Sequence, residues 1–321
     1  QGKAAVCGHN AATGREAKMP HVIKKSANAK RVVIVGGGPA GLEAARVSAE
    51  RGHNVTLFEA SDKLGGQIKL AASGTTRRQI WGVADWLIEE VSRLEVDVQL
   101  NVFAEATEVL ALSPDAVIIA TGGWPDAPAF AGNSLIVSSW DILSGEVRTT
   151  GDVLLYDEVG DQSALVCADV MLKAGCKIDH ITPDRSTAHD LGPTNSAVVL
   201  RDLAMAGANF ICFQEIESVK ADGNRKVVTL RHTLTGEATQ RVVDHCVVEH
   251  GLAPMDEIYH ELKSVSSNLG QLDQQAMIGG GDPYEMLNPS GQFTLAHIGD
   301  AVSGRNIHAA VFDGLRVCKD I

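Results

Sequence analysis

Three glycines and one acid stand at a spacing suited to holding a nucleotide. Gly36, Gly38 and Gly41 form G-x-G-x-x-G inside RVVIVGGGPAGLEAARVSAERGHNVTLFE, Arg31 to Glu59. The first glycine permits a tight turn, the second lets backbone approach a pyrophosphate, and the third lets a helix pack close on a sheet. A helix N-terminus then offers free N–H groups and a positive dipole end to the phosphates. Glu59 lies 18 residues beyond Gly41 (59 − 41), where a carboxylate accepts hydrogen bonds from a ribose 2′-hydroxyl.

Further residues belong to the same ligand. Gly65-Gly66-Gln67 gives a backbone able to pass close to it, with Gly66 and Gln67 beside it. Asn101 to Ala106 reads as a return strand carrying Ala104 under an adenine. Asp115 to Gly123 (DAVIIATGG) is a buried strand ending in Thr121 and Gly122, at the sheet edge where open α/β sheets meet ligands. Near the C-terminus, a strand from Phe293 to Ile298 runs into Gly299-Asp300. Asp300 suits a ribityl or ribose hydroxyl; its other reading is a cap for the next helix.

The elements that must place these residues follow from the pattern. The periodicity predicts a strand at Val32–Val35, a helix from Pro39 to Arg51 ended by Gly52, and a strand at Val55–Phe58. Arg77 to Leu94 has helical spacing, with Trp81 and Trp86 as packing residues. A second strand–turn–helix unit starts at DVLLYD (Asp152 to Asp157), with a helix over Ser163–Ala174 and a strand at Lys177–Ile181. Its turn, Asp157-Glu158-Val159-Gly160-Asp161-Gln162, keeps one glycine and carries three acids that repel a pyrophosphate. Asp184-Arg185 offers a single base for a 2′-phosphate, which alone does not restore a nicotinamide-nucleotide site. Val227–Arg231 and Gln240–Val243 flank a Thr-Gly turn as a hairpin. His250 ends a buried strand and reads as a satisfied, partly buried histidine. The expected fold is α/β: two Rossmann-like domains of the FAD/NAD(P)-binding kind, the second inserted in the first. The expected boundaries are a linker over 1–30, a nucleotide domain over 31–150 plus 282–321, and a degenerate second domain over 151–281.

Bulk properties exclude several classes. The chain has 321 residues, 45% hydrophobic and 21% charged, with net charge −12. That charge repels nucleic acid. No run of about 18 apolar residues spans a membrane, and the N-terminus has no apolar signal core, which points to the cytoplasm. Six scattered cysteines without a C-x-x-C fit reduced thiols rather than a disulfide framework or a redox pair. The chain opens at Gln1 without a methionine, which reads as a processed subunit, a proteolytic piece or the tail of a longer polypeptide.

The set GGGPAGLEAAR, Glu59, KLGGQ, ATGG and IGDA resembles the flavoproteins with two dinucleotide-binding domains. VCGHNAATGRE (Val6 to Glu16), about 20 residues before the glycine turn, resembles the junction in the trimethylamine dehydrogenase and 2,4-dienoyl-CoA reductase group. HNAATGRE and ARVSAERGHNVTLFEA are similar to its amine-demethylating branch, the dimethylglycine dehydrogenase and N-methylproline demethylase enzymes. The resemblance implies an old-yellow-enzyme-like barrel with FMN and a [4Fe–4S] cluster, on a precursor or partner chain, and an oligomeric assembly. It implies FAD or ADP in the first site and electron transfer from an N-methyl amine to an electron-transferring flavoprotein. It also implies Cys7 as the last of four cluster ligands; read alone, Cys7 is a spectator thiol. Two other readings stand beside this one. An NAD(P)H-dependent reductase of the dienoyl-CoA type needs a working second site, and a non-catalytic scaffold needs only ADP.

Overall fold

The computed structural model describes residues 6–19, 21–75, 77–126, 129–279 and 281–321. Gln1 to Ala5 of the expected lead-in lie outside them. The chain forms two units, residues 1–69, 80–124 and 252–321 in one, and 70–79 and 125–251 in the other.

Unit 1 begins with β1 (Arg31–Val35), α1 (Pro39–Glu50) and β2 (Asn54–Glu59). Pro39 starts α1 because its missing N–H is not needed in a first turn. Gly52, at φ +90°, ends the turn that follows it. Leu42, Ala44, Ala45 and Val47 are fully buried. Next come α2 (Ile68–Ala71), α3 (Trp81–Arg93), β3 (Asp97–Leu100), α4 (Ala106–Ala111) and β4 (Ala116–Ile119). The chain leaves through β5 (Gly123–Pro125).

Unit 2 is built on β6 (Val137–Ser138), α5 (Ser139–Ser144), β7 (Asp152–Asp157), α6 (Ser163–Lys173) and β8 (Lys177–Ile181). It continues with α7 (Pro193–Met205) and β9 (Ala208–Ile211). Then come β10 (Gln214–Asp222), β11 (Arg225–His232), β12 (Ala238–Val243) and β13 (His245–Glu249). The chain returns through β14 (Leu252–Pro254), which pairs with β5, and finishes with α8 (Glu257–Lys263), α9 (Gln274–Gly279), β15 (Thr294–His297) and α10 (Ile307–Cys318).

Both main sheets are parallel, ordered β15-β4-β1-β2-β3 and β6-β13-β7-β8-β9. β10, β11 and β12 form an antiparallel sheet in unit 2. The strand order reverses between β1 and β4 and again between β7 and β13, the crevices where such sheets take ligands. Two apolar layers flank each parallel sheet. This is the expected α/β fold with an inserted second unit.

Several details differ from expectation. The unit boundaries fall near 125 and 251 rather than 151 and 282, because β6 pairs with β13 in the second sheet while Tyr259 and Leu262 of α8 join the first core. The described residues of the lead-in form no helix or strand, but Ala11, Ala12 and Met19 are buried in unit 1, which anchors this part of it. Residues 101–105 are not a strand. They run extended, with Asn101 N–H donating to Ser61 O at 3.0 Å and Val102 N–H to Glu59 O at 3.0 Å. Trp86 is 39% exposed and lies under the Arg46 guanidinium, 5.4 Å from its ring centre, rather than in the core.

The edge strand β15 carries Gly299-Asp300 into place, and Asn268 holds its free side. The buried Asn268 amide donates to Leu295 O at 2.8 Å and to Gln271 O at 2.7 Å, and its oxygen accepts from Leu295 N–H at 2.9 Å. Asn268 thus stands in for a neighbouring strand. Asn268→Ala strands two buried backbone groups of Leu295 and should cost about 3 kcal/mol at ~1–3 kcal/mol per unsatisfied group. Urea denaturation measures it; an unchanged midpoint contradicts this role for Asn268.

Candidate functional site

The site in unit 1 forms at the carboxyl ends of β1 and β4. Two of the three motif glycines are needed by the fold itself. A Cβ on Gly36, at φ +107°, would lie 2.3 Å from Ala120 O, and one on Gly41 would lie 1.9 Å from Gly36 O. Gly38 is different. A Cβ there meets nothing within 4 Å, so the space before it is open. α1 begins at Gly38 with no side-chain cap and no acid in its first turn. Its first N–H groups and dipole therefore face an open space with no protein carboxylate on them, which is what an anion requires.

Other expected residues gather there. The Glu59 carboxylate accepts from Gly37 N–H at 2.7 Å through one oxygen and from Ser61 N–H at 2.8 Å through the other. Both contacts fix the carboxylate while leaving lone pairs for hydroxyls. Gly65 N–H donates to Gly37 O at 2.9 Å, and a Cβ on Gly66 would come 2.9 Å from Gly38 Cα. The 65–67 loop therefore lies directly against the turn. Gln67 Nε2 donates to Gly123 O at 3.2 Å, beside Gly122 at φ +78°. Ala104 is buried just past the segment bonded to Glu59 and Ser61.

Thr121 and Asp300 are already engaged. The Thr121 hydroxyl donates to Met255 O, and Met255 N–H donates to Gly122 O at 2.9 Å. Gly299 sits against α1, where its Cβ would be 2.8 Å from that of Ala40. Asp300 accepts from Arg305 N–H at 3.0 Å. Burial pushes its carboxyl up from the usual range, against the pull of that N–H and the Arg305 charge. Arg305 pairs with the buried Asp313, whose other oxygen meets Arg316 at 3.1 Å. Asp313 in turn accepts from Gly299 N–H at 3.2 Å. Ser61, Met255, Arg305 and Asp313 were not anticipated. Ser61 follows Glu59 closely enough to be found from sequence, Arg305 and Asp313 lie in the turn and helix just after Asp300, and Met255 acts across a long separation without a motif.

Cys7 lies apart from this group. It is half-buried, and its carbonyl oxygen contacts His308 Nδ1 at 2.9 Å at the start of α10. Among the described residues, no three His, Cys, Asp or Glu side chains come together as a metal site.

The corresponding turn of unit 2 is filled from within. Asp157, fully buried at the end of β7, accepts from Val159 N–H at 3.1 Å and Gly160 N–H at 2.8 Å. Its other oxygen meets His180 Nε2 at 3.2 Å. Asp161 accepts from Ser163 N–H at 2.7 Å, and burial holds its carboxyl above the usual range. The N–H groups that a phosphate would take are already bonded to carboxylates. Above them, a Cβ on Gly160 would lie 2.1 Å from His189 Nδ1, so that loop covers the turn.

With this geometry in place, comparison with known proteins is informative. Residues 9–101 and 30–275 match the family described as pyridine nucleotide-disulphide oxidoreductase. The whole chain is 45% identical to a protein of Rhizobium meliloti (strain 1021) named "Probable N-methylproline demethylase", covering 48% of it. It is 40% identical to the N,N-dimethylglycine/sarcosine dehydrogenase of Chromohalobacter salexigens, again covering 48%. The chain spans about half the length of these curated relatives. In fold it is similar to histamine dehydrogenase from Rhizobium sp. 4-9, with a TM-score of 0.83 at 22% identity, over 99% of this chain and 45% of that one. The glycine turn, the paired parallel sheets and these matches together show that the chain belongs to the pyridine nucleotide-disulphide oxidoreductase family.

Proposed function

We propose that this chain is the nucleotide-holding half of an enzyme that oxidises N-methyl amines. Unit 1 holds the adenosine diphosphate moiety of FAD or ADP; unit 2 holds no nicotinamide nucleotide. The observation that carries this reading is the contrast between two helix starts. Beyond the Gly37 N–H taken by Glu59, α1 starts at Gly38 without a side-chain cap and with open space before it, whereas the Val159, Gly160 and Ser163 N–H groups at the start of α6 are taken by Asp157 and Asp161.

The roles follow from placement. Gly38 and the α1 start receive the pyrophosphate, with Gly36 and Gly41 shaping the turn. Glu59 takes the adenosine ribose hydroxyls. Ala104 lies under the adenine. Gly66, Gln67, Gly122 and the backbone of Thr121 line the remainder, and Asp300 stands at the ribose or ribityl end through its remaining lone pairs.

The oxidising flavin belongs to the complementary half. FMN bound there would supply the oxidation of an N-methyl amine and water to the demethylated amine, formaldehyde, two protons and two electrons, and a [4Fe–4S] cluster would supply the route of those electrons to an electron-transferring flavoprotein. Cys7 would be one ligand of that cluster. Four thiolates hold such a cluster, so this chain contributes a ligand and no electron step of its own. The same contrast at the two turns disfavours an NAD(P)H reductase.

Two measurements test this reading. Gly38→Ala should fold normally, because its Cβ meets no protein atom, yet retain at least tenfold less nucleotide after purification. Chromatography of the nucleotide released on denaturation reads it; full retention contradicts the placement of the pyrophosphate. Titration of the chain with NADPH, followed by fluorescence, should show no saturable binding up to millimolar concentration. A dissociation constant in the micromolar range would sink the assignment of unit 2.

A further inference from the structure

One stretch of the chain has no role in the nucleotide reading. Residues 70–75 and 77–79 belong with unit 2, although the chain on either side, up to Lys69 and from Ile80, belongs with unit 1. This excursion starts and ends beside the glycine turn. Gly65 N–H donates to Gly37 O at 2.9 Å, and a Cβ on Gly65 would come 2.8 Å from the ring of Trp81, the first residue of α3. A Cβ on Gly66 would come 2.9 Å from Gly38 Cα. The neck of the loop is therefore closed against the same turn that faces open space at Gly38.

The tip of the loop lies along one face of α6. Gly74 is buried, and a Cβ there would meet Val166 Cγ1 at 2.8 Å. Thr75 donates twice to one oxygen of Asp169, from its N–H and from its hydroxyl, each at 3.1 Å. Lys173 pairs with the other oxygen and reaches the Thr75 hydroxyl as well. Val166, Asp169 and Lys173 are three and four residues apart, the spacing of one helix face. Partial burial raises the Asp169 carboxyl, but Lys173 and the two Thr75 donors outweigh it and hold it below the usual range. The acceptor is thus charged at neutral pH.

Neck and tip are joined by a backbone with few free joints. Ile68 N–H donates to Gly65 O and Lys69 N–H to Gly66 O, both at 3.3 Å. Ser73 N–H donates to Leu70 O at 3.1 Å, and Arg77 N–H to Gly74 O at 3.4 Å. The Ile68 side chain is fully buried in the core of unit 1. A shift of the 65–67 loop therefore carries to the tip. The bonds at the tip are exposed, with Thr75 open to solvent and Lys173 half-exposed. Exposed polar contacts hold weakly, so docking of the tip is an equilibrium that a ligand at the neck can bias.

We propose that the loop carrying Gly74, Thr75 and Arg77 is a strap that couples the nucleotide site of unit 1 to α6. A nucleotide at the Gly38 turn fixes the 65–67 loop and thereby docks Thr75 on Asp169; an empty site lets the tip leave. The proposal rests on the nucleotide reading of unit 1. Because coupling between two sites is reciprocal, docking of the tip also tightens the nucleotide.

The test is amide hydrogen exchange, read by peptide mass spectrometry, on the 321-residue chain freed of nucleotide and then given millimolar ADP. ADP should slow exchange in residues 65–69 and at the Thr75 N–H by about fivefold or more, and leave β10, β11 and β12 unchanged. Asp169→Ala removes the acceptor at a position where alanine favours the helix. It should leave the Thr75 N–H fast with or without ADP, and weaken ADP binding by calorimetry about fivefold or more. Slowing in 65–69 with none at Thr75 overturns the strap and leaves the nucleotide reading standing. Slowing at neither place overturns both. Undiminished ADP affinity in Asp169→Ala also overturns the strap, and exchange in the unaltered chain decides the matter if that variant fails to fold.

Discussion

The structure depends on which acceptor claims the N–H groups at a helix start. Those groups have no partner within the helix, so something must take them. At α6 the chain supplies its own acceptors, Asp157 and Asp161, and the turn is complete without a ligand. At α1 Glu59 takes the Gly37 N–H ahead of the helix, but the helix itself has no side-chain cap and Gly38 leaves the approach open. Two units of the same βαβ design thus differ in a few side chains, and that difference separates an open turn from a filled one.

The rest of unit 1 supports the open turn. Gly36 and Gly41 allow contacts that a methyl group would obstruct, so the turn keeps its shape. Glu59 is fixed by Gly37 and Ser61, and the 65–67 loop is set against Gly38 by the Gly65–Gly37 hydrogen bond. On the far side, Asn268 holds β15, and the Arg305–Asp313 pair ties Gly299 and Asp300 to α10. A site carried on such rigid elements keeps its donors aimed before any ligand arrives. In unit 2 the corresponding crevice carries carboxylates that take the turn's own N–H groups.

Much of this was legible in the sequence, and the reasons differ by residue. The glycine turn, Glu59 and the acids at Asp157 to Asp161 lie within single βαβ units, where spacing alone places them. The carboxylates that fill the unit 2 turn were readable because they stand in one short stretch. What the sequence did not show is where Thr121 and Asp300 spend their hydrogen bonds. Arg305 meets Asp300 through the shape of the turn between them, while Met255 is brought to Thr121 by a strand crossover that no local pattern encodes. Asn268 and the Ser139–Glu249 contact escaped for the same reason. The unit boundaries shifted because β6 has only two residues, too short to announce its sheet. The lead-in looked polar and linker-like, yet three small or flexible apolar residues, Ala11, Ala12 and Met19, are buried against unit 1.

The most direct test is native mass spectrometry of the purified chain, first as isolated and then with excess NADPH. The account predicts a mass increment of one adenine nucleotide per chain, FAD or ADP, unchanged by NADPH. A chain that carries no nucleotide even after incubation with FAD and ADP, or one that gains a second nucleotide from NADPH, would contradict it.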